Sequence, residues 1–292
     1  MNGGREATEI KHFKHVHNLM LGSVEIVEYY DKCRDGCVLP ISPPYFCGLE
    51  CNFFLHKGCA ELPKKKQVWL HKCQEELLTL SDYVLRCEIC QYLCNGFGYK
   101  CNKCDGYVCL RCVSSLNQRP VNCSGHPHPL LFYLEYKGLC HGCREKTVSW
   151  AYYCKGCNFA LEFKCMTLPT RAQHKCDEKH LLALTYNDDN DYSTTHYCDI
   201  WQTKDPSHWF YRCPTCDTSA HVDCVLGSFP FIKPGSIFKK EDEDYPHPPT
   251  IVKKMYYYSR CVECLKPCRN LALECSEPRC NYITILPTVG VT

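Results

Sequence analysis

Cysteine pairs followed at a fixed distance by a histidine and a further cysteine recur along this chain. That donor set suits tetrahedral coordination of a metal ion. From Cys47 the chain reads CGLECNFFLHKGCAELP, from Cys101 CNKCDGYVCLRCVSSL, from Cys154 CKGCNFALEFKCMTLP and from Cys213 CPTCDTSAHVDCVLG. In each, a Cys pair is followed by four residues, a ligand-type residue, two residues and a cysteine. Earlier pairs stand upstream at Cys33/Cys37, Cys87/Cys90 and Cys140/Cys143; in the fourth copy Cys198 stands alone, with Trp201 where its partner should be. Cys261/Cys264 opens a fifth copy, and the first cysteines of these pairs are spaced by 54, 53, 58 and 63 residues. A period of that size marks an array of small modules. Before each copy stand one or two His or Cys and then alternating leucines: HVHNLML at His15, HKCQEELLTL at His71, HPHPLLF at His126 and HKCDEKHLLAL at His174; the fifth has only PHPPTIV around His247. Alternation with period two predicts a strand.

The elements that must position these donors are small. The chain has 292 residues, 29 of them Cys and 14 His. Length alone would give about two domains, but a Cys content near a tenth signals a scaffold held by disulfides or metal. The N-terminus carries no secretory pattern, and no segment approaches the roughly 18 apolar residues that span a bilayer. A cytoplasmic or nuclear chain keeps its thiols reduced, and dense cysteine there reads as metal binding. Histidines at fixed offsets and an odd cysteine count point the same way. The 34 basic and 32 acidic residues leave a net charge of +2, which demands no polyanionic partner. The run Lys64–Lys66 and the acidic run Glu241–Asp244 read as solvated linkers.

Tyr99, Tyr153, Phe210 and Tyr211 precede the second Cys pair, as Tyr45 and Phe46 do in the first copy. Aromatic residues there favour short strands. The stretches FFLHKGCAEL, FALEFKCMTL and SAHVDCVL can form short helices that point two ligands at one ion. The expected fold class is small zinc-stabilised α+β modules, a tandem array of short β-hairpins with one short helix each and little conventional core. Metal binding then supplies the folding energy. About eight donors per copy make two four-ligand sites. Spacing leaves two groupings open, one site per half or two interleaved sites.

The segments CNFFLHKGCAELP, CNFALEFKCMTLP and DPSHWFYRCPTCDTSAHVDCVLG resemble the plant cysteine/histidine-rich DC1-domain family, a divergent C1-like zinc finger, over roughly residues 12 to 285. The resemblance implies a β-rich module with a short helix and two interleaved zincs. It assigns Cys33, Cys37, His56 and Cys59 to one site of copy one, and His17 (or His15), Cys47, Cys51 and His71 to the other. Copy two receives Cys87, Cys90, Cys109 and Cys112, then Cys73, Cys101, Cys104 and either Cys123 or His126. Copy three receives Cys140, Cys143, Glu162 and Cys165, then His128, Cys154, Cys157 and His174. Copy four receives Cys198, His221 and Cys224, then His180, Cys213 and Cys216. His247, Cys261, Cys264, Cys275 and Cys280 are the donors of the fifth.

Departures from the pattern are informative. Glu162 stands where copies one and four have His, and a carboxylate can bind zinc. Trp201 cannot, which leaves three ligands: a weakened scaffold site, or an open position. Near the expected end of copy four stand Asp244 and Tyr245. In copy five no His-x-x-Cys follows, so it reads as a degenerate or truncated half-module, with Cys268 as an alternative ligand. Cys94, Cys176, His141, His196 and His208 fit no repeated position and read as surface or packing residues; His12 reads as a solvated N-terminal residue.

The expected modules span residues 12–71, 71–126, 126–174, 174–227 and 247–292, with a linker at 228–246. Closed four-ligand sites leave no position for substrate, so the chain reads as a zinc-binding interaction or signalling adaptor with protein partners, not an enzyme. The resemblance implies plant signalling or stress-response roles. Two other readings compete. A diacylglycerol- or phospholipid-binding module needs apolar loop tips flanked by basic residues, and loops such as NGFGY are short. A thiol–disulfide protein of the protein-disulfide reductase type needs one special low-pKa pair, whereas here the pairs repeat. Nucleic acid is less favoured, because the aromatics sit at repeated positions and read as module packing.

Overall fold

In a computed structural model the described residues are 8–22, 33, 36–38, 41, 43–48, 53–117, 120–146, 150–186, 197–204, 209–238, 247–254, 259–268 and 270–286. Cys51, His196, His208, Asp244, Tyr245 and the acidic run at 241–244 lie outside them. The chain divides into two compact units, Met1–Leu110 with Phe231–Thr292, and Arg111–Pro230. The division passes through the helix Leu110–Asn117.

One unit of structure repeats: a four-stranded antiparallel meander followed by a short helix. In the first module the strands Glu9–Ile10, Leu19–Gly22, Tyr45–Gly48 and Phe53–His56 lie in sheet order, followed by the helix Lys57–Ala60. The third module uses Val121–Cys123, His126–Tyr133, Ala151–Cys154 and Phe159–Leu161, then the helix Phe163–Met166. The fourth uses Arg171–His174, Asp177–Tyr186, Trp209–Arg212 and Ser219–His221, then Val222–Leu226. In the second, Lys65–Lys66, Leu78–Ser81, Gly98–Lys100 and Tyr107–Cys109 lead into the eight-residue helix Leu110–Asn117. The fifth keeps three strands, Thr250–Lys254, Asn270–Glu274 and Ile283–Ile285.

Phe46, Tyr99, Tyr152 and Tyr211 hold one register position on the third strand, fixed by the pairs Tyr45↔His56, Val108↔Tyr99, Tyr152↔Leu161 and Phe210↔His221. All four are buried. Each contributes about 1.5–3 kcal/mol by burial. Two of the hydroxyls also tie down the chain entering the module: Tyr99 donates to the Pro63 carbonyl at 2.9 Å and Tyr211 to the Pro169 carbonyl at 2.6 Å. Leu80 N–H to Lys64 O and Leu184 N–H to Thr170 O then align the first strand.

Several expectations change. Lys64–Lys66 is not a plain linker: Lys65 and Lys66 pair with Thr79 and Leu78 as a first strand. Each meander thus starts before the boundary drawn from sequence. The expected helical stretches are strands first, with the helix confined to about one turn, because strand pairing continues to the ligand, with Tyr45 opposite His56 and Phe210 opposite His221. His12 is buried, its ring 5.8 Å from that of Phe97 in a stacked arrangement, so it packs and is not solvated. Within 228–246, Phe231, Ile232 and Phe238 are buried; Asn95 Nδ2 donates to Lys233 O and to Ser236 Oγ, both at 3.0 Å.

Candidate metal centres

Among the described residues, seven cysteine-pair loops share a shape with one left-handed residue. Val38, Gln91, Asp105, Arg144, Asn158, Asp217 and Leu265 all have φ between 52° and 63°, and each directly follows the second cysteine of a pair. A left-handed conformation is costly for residues with a Cβ. It recurs because it folds the loop back on itself. Gln91 N–H reaches Cys87 O, Arg144 N–H reaches Cys140 O and Asp217 N–H reaches Cys213 O, at 2.9, 2.9 and 3.0 Å. Both thiols of the pair then face one side.

The first pair of each module meets the ligand-x-x-Cys at the strand–helix junction. Cys33, Cys37, His56 and Cys59 form one group, Cys87, Cys90, Cys109 and Cys112 a second, and Cys140, Cys143, Glu162 and Cys165 a third; within each group the donor atoms lie within 4.8 Å of one another. His56 ends its strand and Glu162 follows one, each as the residue before the helix, and Cys59 and Cys165 sit on its first turn, so three-residue spacing puts both donors on one face. The interleaved arrangement therefore describes the first sites. In the fourth module Cys198 Sγ lies 3.7 Å from Cys224 Sγ, and Cys224 Sγ 3.4 Å from His221 Nδ1.

The second sites correct the sequence assignment. His71 does not join Cys47 of module one; it groups with Cys73, Cys101 and Cys104. Neither Cys123 nor His126 completes that group. His126 joins His128, Cys154 and Cys157 in place of His174. In the fourth module His180 Nδ1 lies 3.1 Å from Cys216 Sγ and 3.1 Å from Asp177 Oδ1, and Asp177 also reaches Cys213. Asp177 was absent from the sequence assignment. The pairs Cys123↔His126 and His174↔Asp177 show that Asp177 occupies the register position of His126. Both leading donors thus come from the hairpin that opens the module, not from the next module. His126 and His128 are two residues apart on one strand and so share a face, whereas His71 and Cys73 lie in the turn before the strand Leu78–Ser81. Cys51, predicted with His17 and Cys47, lies outside the described residues.

A ring of partners surrounds His71. Its Nε2 is 3.3 Å from Cys104 Sγ, while Nδ1 is 2.6 Å from Glu88 Oε1. A carboxylate on the far ring nitrogen orients a ligating histidine and raises its basicity. Gly106 makes room for this pair: a Cβ there would lie 2.6 Å from both Glu88 Oε2 and His71 Cε1. Glu88 lies inside the Cys87/Cys90 loop, so one site's loop orients the other site's ligand. In module three the residue after the first cysteine is His141, whose Nδ1 accepts from Ala160 N–H at 3.1 Å. Cys94 is buried, and Cys176 is exposed.

The donors of each group perturb one another. Burial pushes the Glu162 carboxyl up, and the Cys140 charge pushes it further, against a hydrogen bond from Cys143. Cys140 is drawn well down by the thiols of Cys143 and Cys165, which are pushed up in exchange. Burial opposes ionisation of Cys101, yet the Lys103 and Cys104 N–H groups and His71 hold it at about 7. Asp177 is held down to about 2, chiefly by Cys213.

The donors fit zinc. Tetrahedral zinc with Zn–S near 2.3 Å sets sulfurs about 3.8 Å apart; Cys90 and Cys109 Sγ are 3.8 Å apart and Cys198 and Cys224 Sγ 3.7 Å. Nε2 of His126, whose ring stacks on Phe159 at 4.3 Å, is buried without a hydrogen-bond partner, as a nitrogen facing an ion would be. In module five Cys261 and Cys264 keep the loop, with Leu265 N–H to Cys261 O at 2.9 Å. There Ile285 stands at the register position of Glu162, since Val262 N–H reaches Ile283 O as His141 N–H reaches Ala160 O. Cys268 is buried against Cys261 instead, and Cys280 sits beside Cys275. His247 is exposed.

Small antiparallel modules organised on Cys/His groups define the class of this protein as a zinc-type finger array. Residues 124–166, which carry the third module's donors, match the model of the C1 domain family, so this segment is a C1-like cysteine-rich domain. No curated protein and no solved structure matches the chain. Among the described residues no helix is long and apolar enough to cross a membrane.

Proposed function

We propose that the chain is a zinc-loaded array of C1-like modules, with about two Zn2+ per intact module, that acts as a protein-interaction adaptor and not as an enzyme. One observation carries this reading. Four protein donors converge repeatedly, as at Cys87, Cys90, Cys109 and Cys112. A closed tetrahedron holds structure and leaves no position for substrate. Linked modules bind partners multivalently. The resemblance to plant DC1 proteins supports a signalling or stress-response setting in the cytoplasm or nucleus.

Native mass spectrometry of protein purified without chelator, with free thiols counted in the same sample, tests the reading. About two zincs for each of the first three modules and no disulfides is the expected result. Little zinc and paired disulfides would replace it with a secreted scaffold or a redox role. A lipid-surface reading has one observation in its favour. Phe13 and Val16 are exposed in the turn between the first two strands, beside Lys11. Sedimentation with diacylglycerol-containing vesicles, lost in Phe13→Ser, would support that alternative.

A further inference from the structure

The fourth module's first loop has lost its second cysteine but not its shape. Gln202 has φ 54°, and its N–H reaches Cys198 O at 2.6 Å. Arg144 in the third module has φ 62°, with N–H to Cys140 O at 2.9 Å. Residue 201 therefore stands where Cys143 stands. Trp201 is 70 % exposed, so its indole is turned to solvent and not over the donors. The remaining donors still converge, with Cys198 Sγ 3.7 Å from Cys224 Sγ and Cys224 Sγ 3.4 Å from His221 Nδ1. Cys198 is buried in a cluster with Leu182, Tyr211 and Val225, which fixes it independently of residue 201.

We propose that a divalent ion held by Cys198, His221 and Cys224 keeps an exchangeable fourth position, occupied by water and open to a small monodentate Lewis base such as azide or imidazole. This rests on the metal-binding reading given above. Three protein donors with one open corner is the arrangement found where zinc is reactive and not merely structural. Charge singles out this centre among the first sites. Two thiolates and a neutral imidazole leave a dipositive ion with no net charge, whereas Cys87, Cys90, Cys109 and Cys112 would leave −2 as four thiolates. Cys33, Cys37, His56 and Cys59 would leave −1, so the fourth module's ion is the strongest Lewis acid of these first sites, and Trp201 supplies no donor where Cys143 does.

The test uses the full chain loaded with Co2+, whose visible bands report coordination. Azide and imidazole are titrated in turn, and cobalt content is read by native mass spectrometry before and after. The expected result is a saturable change in the bands with no loss of cobalt. It persists in Trp201→Ala and disappears in Trp201→Cys, which supplies the missing sulfur, and in Cys224→Ser, which removes the site. A fully loaded protein whose bands ignore both probes overturns the proposal and leaves the array reading intact, as does a response that survives in Trp201→Cys. A chain that takes up no metal overturns both.

Discussion

Modules two and four build the same first site with different completeness. In module two, four thiols meet and two of the group, Cys87 and Cys112, are fully buried. In module four, Trp201 stands in place of a cysteine with its side chain turned to solvent, yet the loop keeps its left-handed residue and the three remaining donors still converge. The backbone hydrogen bonds and the left-handed residue after position 201 suffice to shape the loop. Loop geometry is therefore encoded locally, whereas coordination number depends on which side chain the loop displays. Loss of one ligand here leaves the loop's backbone geometry in place.

Metal removal should break the comparison most severely. Structural zinc in small fingers contributes about 10–16 kcal/mol to folding. Treatment with a tight chelator should abolish near-UV circular dichroism and make the buried thiols of Cys87 and Cys112 reactive; thiols that stay protected would mean the sheets stand without metal. Next in size, Cys112→Ser should remove one zinc from the native mass and expose residues 85–117 to protease. Cys224→Ser should cost less, since its site already lacks a donor. Glu88→Ala should then weaken zinc at His71, Cys73, Cys101 and Cys104 by about 10–100-fold, the usual effect of removing a ligand's outer partner. Competition with a chromogenic chelator reads this out, and Gly106→Ala should shift it in the same direction. Smallest is Trp201→Ala, expected within about 0.5 kcal/mol of the parent in thermal unfolding, as for an exposed side chain away from the core. A large loss there would show that the indole supports the loop.

Much of this was legible in the sequence because metal donors are placed by spacing. The pairs, the His-x-x-Cys at the strand–helix junction and the alternating leucines each specify a local shape; spacing left two groupings open, and the resemblance implied the interleaved one that the first sites adopt. The second sites did not follow as fully, because they depend on strand register. Whether His71 belongs to the module before or after it turns on the pairing of Lys66 with Leu78, a contact across a turn that spacing does not encode. Asp177 was missed for a related reason. A carboxylate has no distinctive spacing by itself, and only the opposition of His174 to Asp177 places it at the His126 position. The burial of Phe231 and Ile232 escaped notice because their partners, such as Tyr92, whose ring meets that of Phe231 at 5.0 Å, lie far away in sequence.

Glu88 has a consequence for how the second module responds to metal supply. It is anchored in the Cys87/Cys90 loop, and its carboxylate fixes the ring of His71 in the neighbouring site. Filling the first site stiffens that loop, so the second ion meets a histidine already aimed and pays less ordering entropy. Loading of the two sites is then expected to be cooperative, which zinc titration followed by native mass spectrometry would check.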